Sequence, residues 1–122
     1  MKLPDMSKKE LGKWGEEYAA AYLRENKILI LAMNYYSPYG EIDIIGKESD
    51  MIVFFEIKTR RTMTFGKPEI SVGFYKKKHL VDSVFYYLQE NDQLEEKWRI
   101  DVISINTGTS VQVEWFKYAI ST

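Results

Sequence analysis

Apolar residues along the chain recur at two periods. The first periodic stretch opens at Ser7-x-x-Glu10, where a hydroxyl and an acid three residues on satisfy each other's backbone amides, so a helix starts there and runs to about Glu25. Leu11, Trp14, Tyr18 and Tyr22 follow at spacings of three and four and define its predicted buried stripe. Lys27 to Met33 (KILILAM), bounded by Asn26 and Asn34, is a short apolar run expected to form a buried strand. Tyr35 to Gly40 is expected to be an aromatic, turn-rich loop. Two apolar segments come next, Glu41 to Ile45 and Met51 to Thr59, separated by Gly-Lys-Glu-Ser-Asp, which is the pattern of a hairpin.

Arg60 to Gly66 has no period and reads as a loop beside the hairpin. Beyond Pro68 a helix is expected from about Ser71 to Gln89, with Leu80, Val81, Val84, Phe85 and Leu88 as its core stripe. Glu90 to Lys97 is a polar connection. Arg99 to Ile105 alternates Ile100, Val102 and Ser104 against Asp101, Ile103 and Ile105, a strand pattern. Thr107-Gly108-Thr109 makes a turn, and Val111 to Ile120 returns as a last strand near an edge. The element order is α-β-β-β-α-β-β. A mixed central β-sheet flanked by helices accommodates it, with the long hairpin at the centre.

At 122 residues the chain makes one domain, 1–122, with surface enough to bury a core. No apolar run approaches the roughly 20 residues that cross a bilayer, and Met1 to Ser7 lacks the apolar core of a signal peptide, so a cytoplasmic protein with no membrane partner is expected. The absence of cysteine excludes a disulfide framework, a thiolate metal site and a thiol nucleophile. Net charge is −1, yet Lys58 to His79 holds seven basic residues and a single acid, leaving the rest of the chain acidic. A basic patch on an acidic body can concentrate a polyanion at one place.

Charges interrupt the hairpin strands in register. Alternation places Ile52, Phe54, Glu56 and Lys58 on one face, and a hairpin closing tightly around Ser49 and Asp50 sets Asp43 opposite Glu56. Both faces are otherwise rich in Ile, Val and Phe, and in such surroundings a charge is costly unless it is paired or binds a metal. Two carboxylates beside an amine suit Mg²⁺, which takes hard oxygen ligands and keeps positions open for water and phosphate oxygens. The chemistry this permits is phosphodiester hydrolysis, with Lys58 orienting the attacking water or stabilising the pentacovalent phosphate. The same spacing also fits a half-exposed hairpin with cross-strand salt bridges of about 0.2 to 1 kcal/mol each, and the pattern alone does not separate the two.

Other residues carry paired readings. Glu16 lies off the first helix's stripe, and on spacing alone a solvated acid beside Glu17 is preferred; its neighbours Gly12, Ala19, Ala20 and Leu23 are mostly small, so that side could also bring a carboxylate near the sheet. The tyrosines at 35, 36 and 39 either stack on bases or, the preferred reading, close the end of the core. Arg60 and Arg61 are candidate phosphate contacts or a solvated loop. Lys76, Lys77 and Lys78 sit in early helical turns where the macrodipole disfavours cations, which hints at a ligand, although a solvated face is the commoner cause. His79, the single histidine, excludes a paired-histidine metal site and is expected at the surface.

With these residues in view, the chain resembles the YraN-like family of small bacterial proteins, whose fold is similar to the PD-(D/E)xK restriction endonucleases and the archaeal Holliday-junction resolvases. The resemblance is carried by Gly12-x-x-Gly15-Glu16, Gly40-Glu41-Ile42-Asp43, Phe55-Glu56-Ile57-Lys58-x-Arg60, Phe65-Gly66, Ser71-Val72 with Lys76, Arg99-x-Asp101-Val102 and Val113-Glu114-Trp115. It implies a restriction-endonuclease-like fold with Asp43 and Glu56 as divalent-metal ligands, Lys58 as base or electrostatic stabiliser, Glu16 as the supporting helix carboxylate and the Ile57 carbonyl as a further ligand. The proline of the name-giving motif is Ile42 here, and the net charge is acidic where resolvases tend to be basic. The expectation is a Mg²⁺- or Mn²⁺-dependent nuclease on branched, damaged or single-stranded DNA, with DNA favoured over RNA and a homodimer as one arrangement. The alternative is a nucleic-acid-binding module of nuclease fold without turnover, and a purely structural role in a protein complex also remains open.

Overall fold

The computed structural model describes residues 5–61 and 73–121. In chain order these form α1 (Lys8–Glu25), β1 (Leu29–Ser37), β2 (Gly40–Glu48), β3 (Met51–Arg60), α2 (Phe74–Glu90), β4 (Trp98–Asn106) and β5 (Gln112–Ile120). This is the expected order. The strands make one five-stranded sheet in sequence order β1-β2-β3-β4-β5, antiparallel throughout except for the parallel pair β3 and β4, which α2 connects.

The capping box at Ser7 forms as read: the Ser7 Oγ accepts from the Glu10 amide at 3.1 Å and the Glu10 carboxylate accepts from the Ser7 amide at 3.0 Å. At the other end Lys27 turns left-handed (φ 65°), its amide donates to Arg24 O, and the amide of Ile28 reaches back to Leu23 O. That Schellman ending buries Ile28 beside Leu23 and aims the chain into β1.

The helices cover opposite faces. Leu80, Val84 and Leu88 of α2 pack on Ile42, Ile45, Ile52, Phe54, Ile100 and Val102, while Ala19, Ala20 and Leu23 of α1 pack on Ile44, Val53, Phe55, Ile103 and Ile105. The alternation read in β3 and β4 therefore holds residue by residue. Among the described residues no helix is long and apolar enough to cross a membrane.

Four expectations change. The stripe Leu11, Trp14, Tyr18, Tyr22 is not the buried face of α1; the buried residues are Leu11, Gly15, Ala19, Ala20 and Leu23, with Tyr18 exposed and Trp14 and Tyr22 at the margin. Small side chains let the helix lie close to the sheet: a Cβ on Gly15 would stand 1.8 Å from Thr59 Oγ1. The KILILAM run forms an edge strand rather than a buried one. Leu29 and Leu31 are exposed, and β1 continues through Tyr35 and Tyr36, which were expected in a loop. Ile30 and Met33 still pack on the α1 face and Ala32 and Tyr35 on the α2 face. Phe85, expected in the core of α2, is also exposed, and Ser83 takes a buried place instead, with its hydroxyl donating to His79 O.

Both edge strands are irregular. The β1–β2 register shifts between Ile30 and Ala32 and Asn34 is left-handed (φ 52°); the β4–β5 register shifts between Ile100 and Val102 and Tyr118 is left-handed (φ 54°). The expected loop beyond Arg61, the start of the second helix at Ser71 and Val72, and the Phe65-Gly66 motif lie outside the described residues.

Candidate functional site

The hairpin closes around Ser49 and Asp50, with Glu48 opposite Met51 and the ladder running to Ile44 opposite Phe55. One step further the ladder stops. There the Asp43 carboxylate accepts the Ile57 amide at 2.8 Å, in a place where a sheet would put a backbone carbonyl. The acid is thus held at the level of Glu56 and Ile57, as the register predicts.

Asp43 and Glu56 open on one cavity of about 420 Å³, which Glu41, Lys76, His79 and Leu80 also line. Glu56 is only 5% exposed, and its charge is met by the Lys76 ammonium from the first turn of α2. On another side of Asp43, carboxylate oxygens of Glu16, Glu41 and Asp43 all lie within 4.8 Å of one another. Asn34 ties two of them, its amide donating to Glu16 Oε1 at 2.6 Å and to Glu41 Oε1 at 2.8 Å. The left-handed turn of Asn34, which asparagine tolerates better than most residues, aims that amide. Glu16 is therefore not a solvated acid beside Glu17; the close approach at Gly15 sets it against the sheet.

So much negative charge raises the cost of ionising Asp43. Burial and the neighbouring Glu56 charge push its carboxyl up to about 8, with Glu16 and Glu41 adding to the rise and the Ile57 amide opposing it. Burial pulls the Lys76 ammonium down, but the hydrogen bond and charge of Glu56 and the charge of Asp43 outweigh it and leave that lysine above its ordinary range. All the donors gathered here are hard oxygens. A divalent cation such as Mg²⁺ or Mn²⁺ suits Glu16, Glu41 and Asp43, with Glu56 across the cavity.

Lys58 lies two residues beyond Glu56 on the same side of β3, half-buried and beside Ser104 of β4. The Ile57 side chain packs on the α1 face, which leaves its backbone at the site. Arg60 ends β3, its carbonyl accepting from Thr107. The Arg61 guanidinium, expected at phosphate, donates to Met6 O at 3.2 Å and lies 4.0 Å from Asp5, so it ties down the segment before α1. Of the three lysines read as phosphate contacts, Lys76 pairs with Glu56 at the acidic site, Lys78 pairs with Asp82 at 3.3 Å, and Lys77 is exposed. His79 is exposed as expected, on the cavity wall.

Glu41 and Asn34 were not singled out from the sequence. Alternation could have found Glu41, since it stands two residues from Asp43 on one strand. Nothing local to Asn34 indicates its role. A second polar cluster, linking β4 to β2 and β5, was likewise missed: buried Asp101 accepts from Arg99 Nε at 3.0 Å, Trp115 Nε1 at 2.8 Å and the Tyr118 amide at 2.9 Å, while Arg99 Nη1 donates to Glu48 at 3.0 Å.

Fold and site together define a three-layer α/β/α protein whose mixed sheet gathers acids from α1, β2 and β3 at the open end of its central hairpin. Residues 15–105 match the Uncharacterised protein family UPF0102, and the chain belongs to that family. Its relatives include UPF0102 proteins of Syntrophotalea carbinolica, 39% identical over 87% of this chain and 87% of the relative, and of Thermodesulfovibrio yellowstonii, 43% identical over 89% and 96%. A UPF0102 protein of Syntrophomonas wolfei is 42% identical over 80% of this chain and 84% of its own.

Proposed function

We propose that the protein is a cytoplasmic, Mg²⁺- or Mn²⁺-dependent nuclease of restriction-endonuclease-like fold that hydrolyses phosphodiester bonds in DNA, with branched or damaged DNA as its substrates. The observation that carries this reading is the meeting of acids from three chain segments around Asp43: Glu16 and Glu41 lie within 4.8 Å of it, Glu56 shares its cavity, and Lys58 is two residues from Glu56 on the same side of β3. Carboxylates gathered beside a buried strand are costly unless they are paired or hold a cation, and Glu16, Glu41 and Asp43 lie close enough together for a divalent ion to serve them at once.

In this reading Asp43, Glu56 and Glu16 hold the ion, with the Ile57 carbonyl and Glu41 completing the oxygen set. When bound, the ion neutralises charge building on the phosphorus centre and lowers the pKa of a coordinated water. The Ile57 amide fixes the Asp43 carboxylate, and Asn34 fixes Glu16 and Glu41, so these groups need little rearrangement on binding. Lys58 orients the attacking water or takes up negative charge on the phosphate. Arg60, Lys77 and Lys78 contact the backbone of the strand, and a homodimer would let two such sites meet two strands.

The test is a panel of linear, flapped and four-way DNA with an RNA counterpart, incubated with Mg²⁺ or Mn²⁺. Cleavage that survives Asp43→Asn, Glu56→Gln and Lys58→Ala in folded protein would sink the reading. The internal pairing of Glu56 with Lys76 supports a second reading, a nucleic-acid-binding module without turnover. Salt-dependent binding indifferent to Mg²⁺, with no cleavage, selects it.

A further inference from the structure

We propose that Lys76 is the resident counter-ion of this centre: its ammonium holds Glu56 in the ion-free protein, weakens uptake of a divalent cation, and gives up Glu56 when one binds. This rests on the metal-centre reading above and adds a residue that sets how much metal the protein requires.

The placement of Lys76 argues for it first. α2 begins at Phe74 and is preceded by Gly73, which makes no side-chain cap; no acid occupies the first turn, and Lys76 is its third residue. A cation there opposes the helix dipole and gains nothing from the helix. What holds it is Glu56, twenty residues earlier and on the facing strand. The pair is also unequal. Glu56 is almost wholly buried, with 7% of its side chain exposed, whereas 59% of the Lys76 side chain is exposed. A buried carboxylate needs a positive partner at all times, but the ammonium on its long stem can swing into solvent and be hydrated there.

An incoming cation and the ammonium therefore compete for the same Glu56 oxygens in the same cavity, which both residues line. Asp43 is felt by Lys76 as well, so the competition extends to the acid at the heart of the site. Neutralising Lys76 removes the competitor and leaves the carboxylates less compensated. The direction is opposite to that expected of a lysine that merely supports the fold or recruits polyanion.

The experiment measures Mn²⁺ affinity of the full chain by isothermal titration calorimetry at fixed pH and ionic strength, without nucleic acid. Lys76→Met should bind Mn²⁺ about fivefold or more tightly than the parent, the lower end of ordinary site-to-site coupling. Lys97→Met, which removes the same charge from a surface pair with Asp50 at the far end of the sheet, should change affinity by less than about twofold. In a Glu56→Gln background the effect of Lys76→Met should disappear. Lys76→Gln, neutral but still able to hydrogen-bond Glu56, should act in the same direction and serves if the methionine variant does not fold. Unchanged or weaker binding in the folded neutral variants, or tightening that persists without Glu56, overturns the role of Lys76 alone. If neither parent nor variants bind Mn²⁺, the metal-centre reading falls with it.

Discussion

The amide of Ile57 donates to a carboxylate oxygen of Asp43 across 2.8 Å at the point where the β2–β3 ladder ends. A side chain has taken the acceptor's place, so the acid most exposed to repulsion is also the one that completes the backbone of β3. Asn at this position keeps an acceptor; Ala does not. Asp43→Asn should fold normally and lose cleavage by at least about a hundredfold, some 3 kcal/mol of barrier. Asp43→Ala should lose cleavage and also about 1–3 kcal/mol of stability, because the Ile57 amide is left unsatisfied. Urea unfolding beside single-turnover cleavage separates the two.

The same acid gives the ion-free protein a pH dependence. Asp43 has an ordinary pKa of 3.8 and stands at about 8 in the fold. Between those values the native state keeps a proton that the unfolded chain has released, so the stability contributed by this group is complete at low pH and is lost as pH rises through about 8. Melting temperature in EDTA should fall from about pH 5 to about pH 8, and Asp43→Asn should flatten that slope. A parent protein whose melting temperature rises over the same window contradicts the assignment.

Gly15 meets Thr59 so closely that an added Cβ would stand 1.8 Å from its Oγ1 and 2.8 Å from its Cβ. Backbone or strand must move to admit it. Gly15→Ala should cost about 1–3 kcal/mol in urea unfolding, the usual penalty for overpacking. Gly12, where an added Cβ meets nothing within 4 Å, should accept Ala with no loss.

Asp101 is fully buried with Arg99 against it. Removing one partner strands the other. Asp101→Ala should destabilise by about 3–5 kcal/mol, whereas an apolar replacement of both residues should cost less than that single change, which a double-mutant cycle in urea measures.

The central hairpin was legible because three local signals agree: alternation in β3, a turn at Ser49-Asp50 and acids falling opposite each other. Its partners were not. KILILAM is as apolar as a buried strand, yet apolarity does not say how many neighbours a strand has, and β1 has one. In α1 the aromatic spacing pointed to the wrong face, because the value of Gly15, Ala19 and Ala20 depends on Thr59 and the sheet beneath them. Asp43, Glu56 and Lys58 stood out from register alone, and Glu16 only once the resemblance was drawn. The Lys76 pair joins residues far apart in sequence, and no window along the chain brings them together.

The two border strands carry a further consequence. A straight row of open amides and carbonyls invites another polypeptide to dock and templates fibrils. Here the row along β1 is broken near Leu31 and Asn34, and that along β5 near Tyr118. Lateral growth finds no even rail to follow on either side, so even at high concentration these molecules should remain discrete particles.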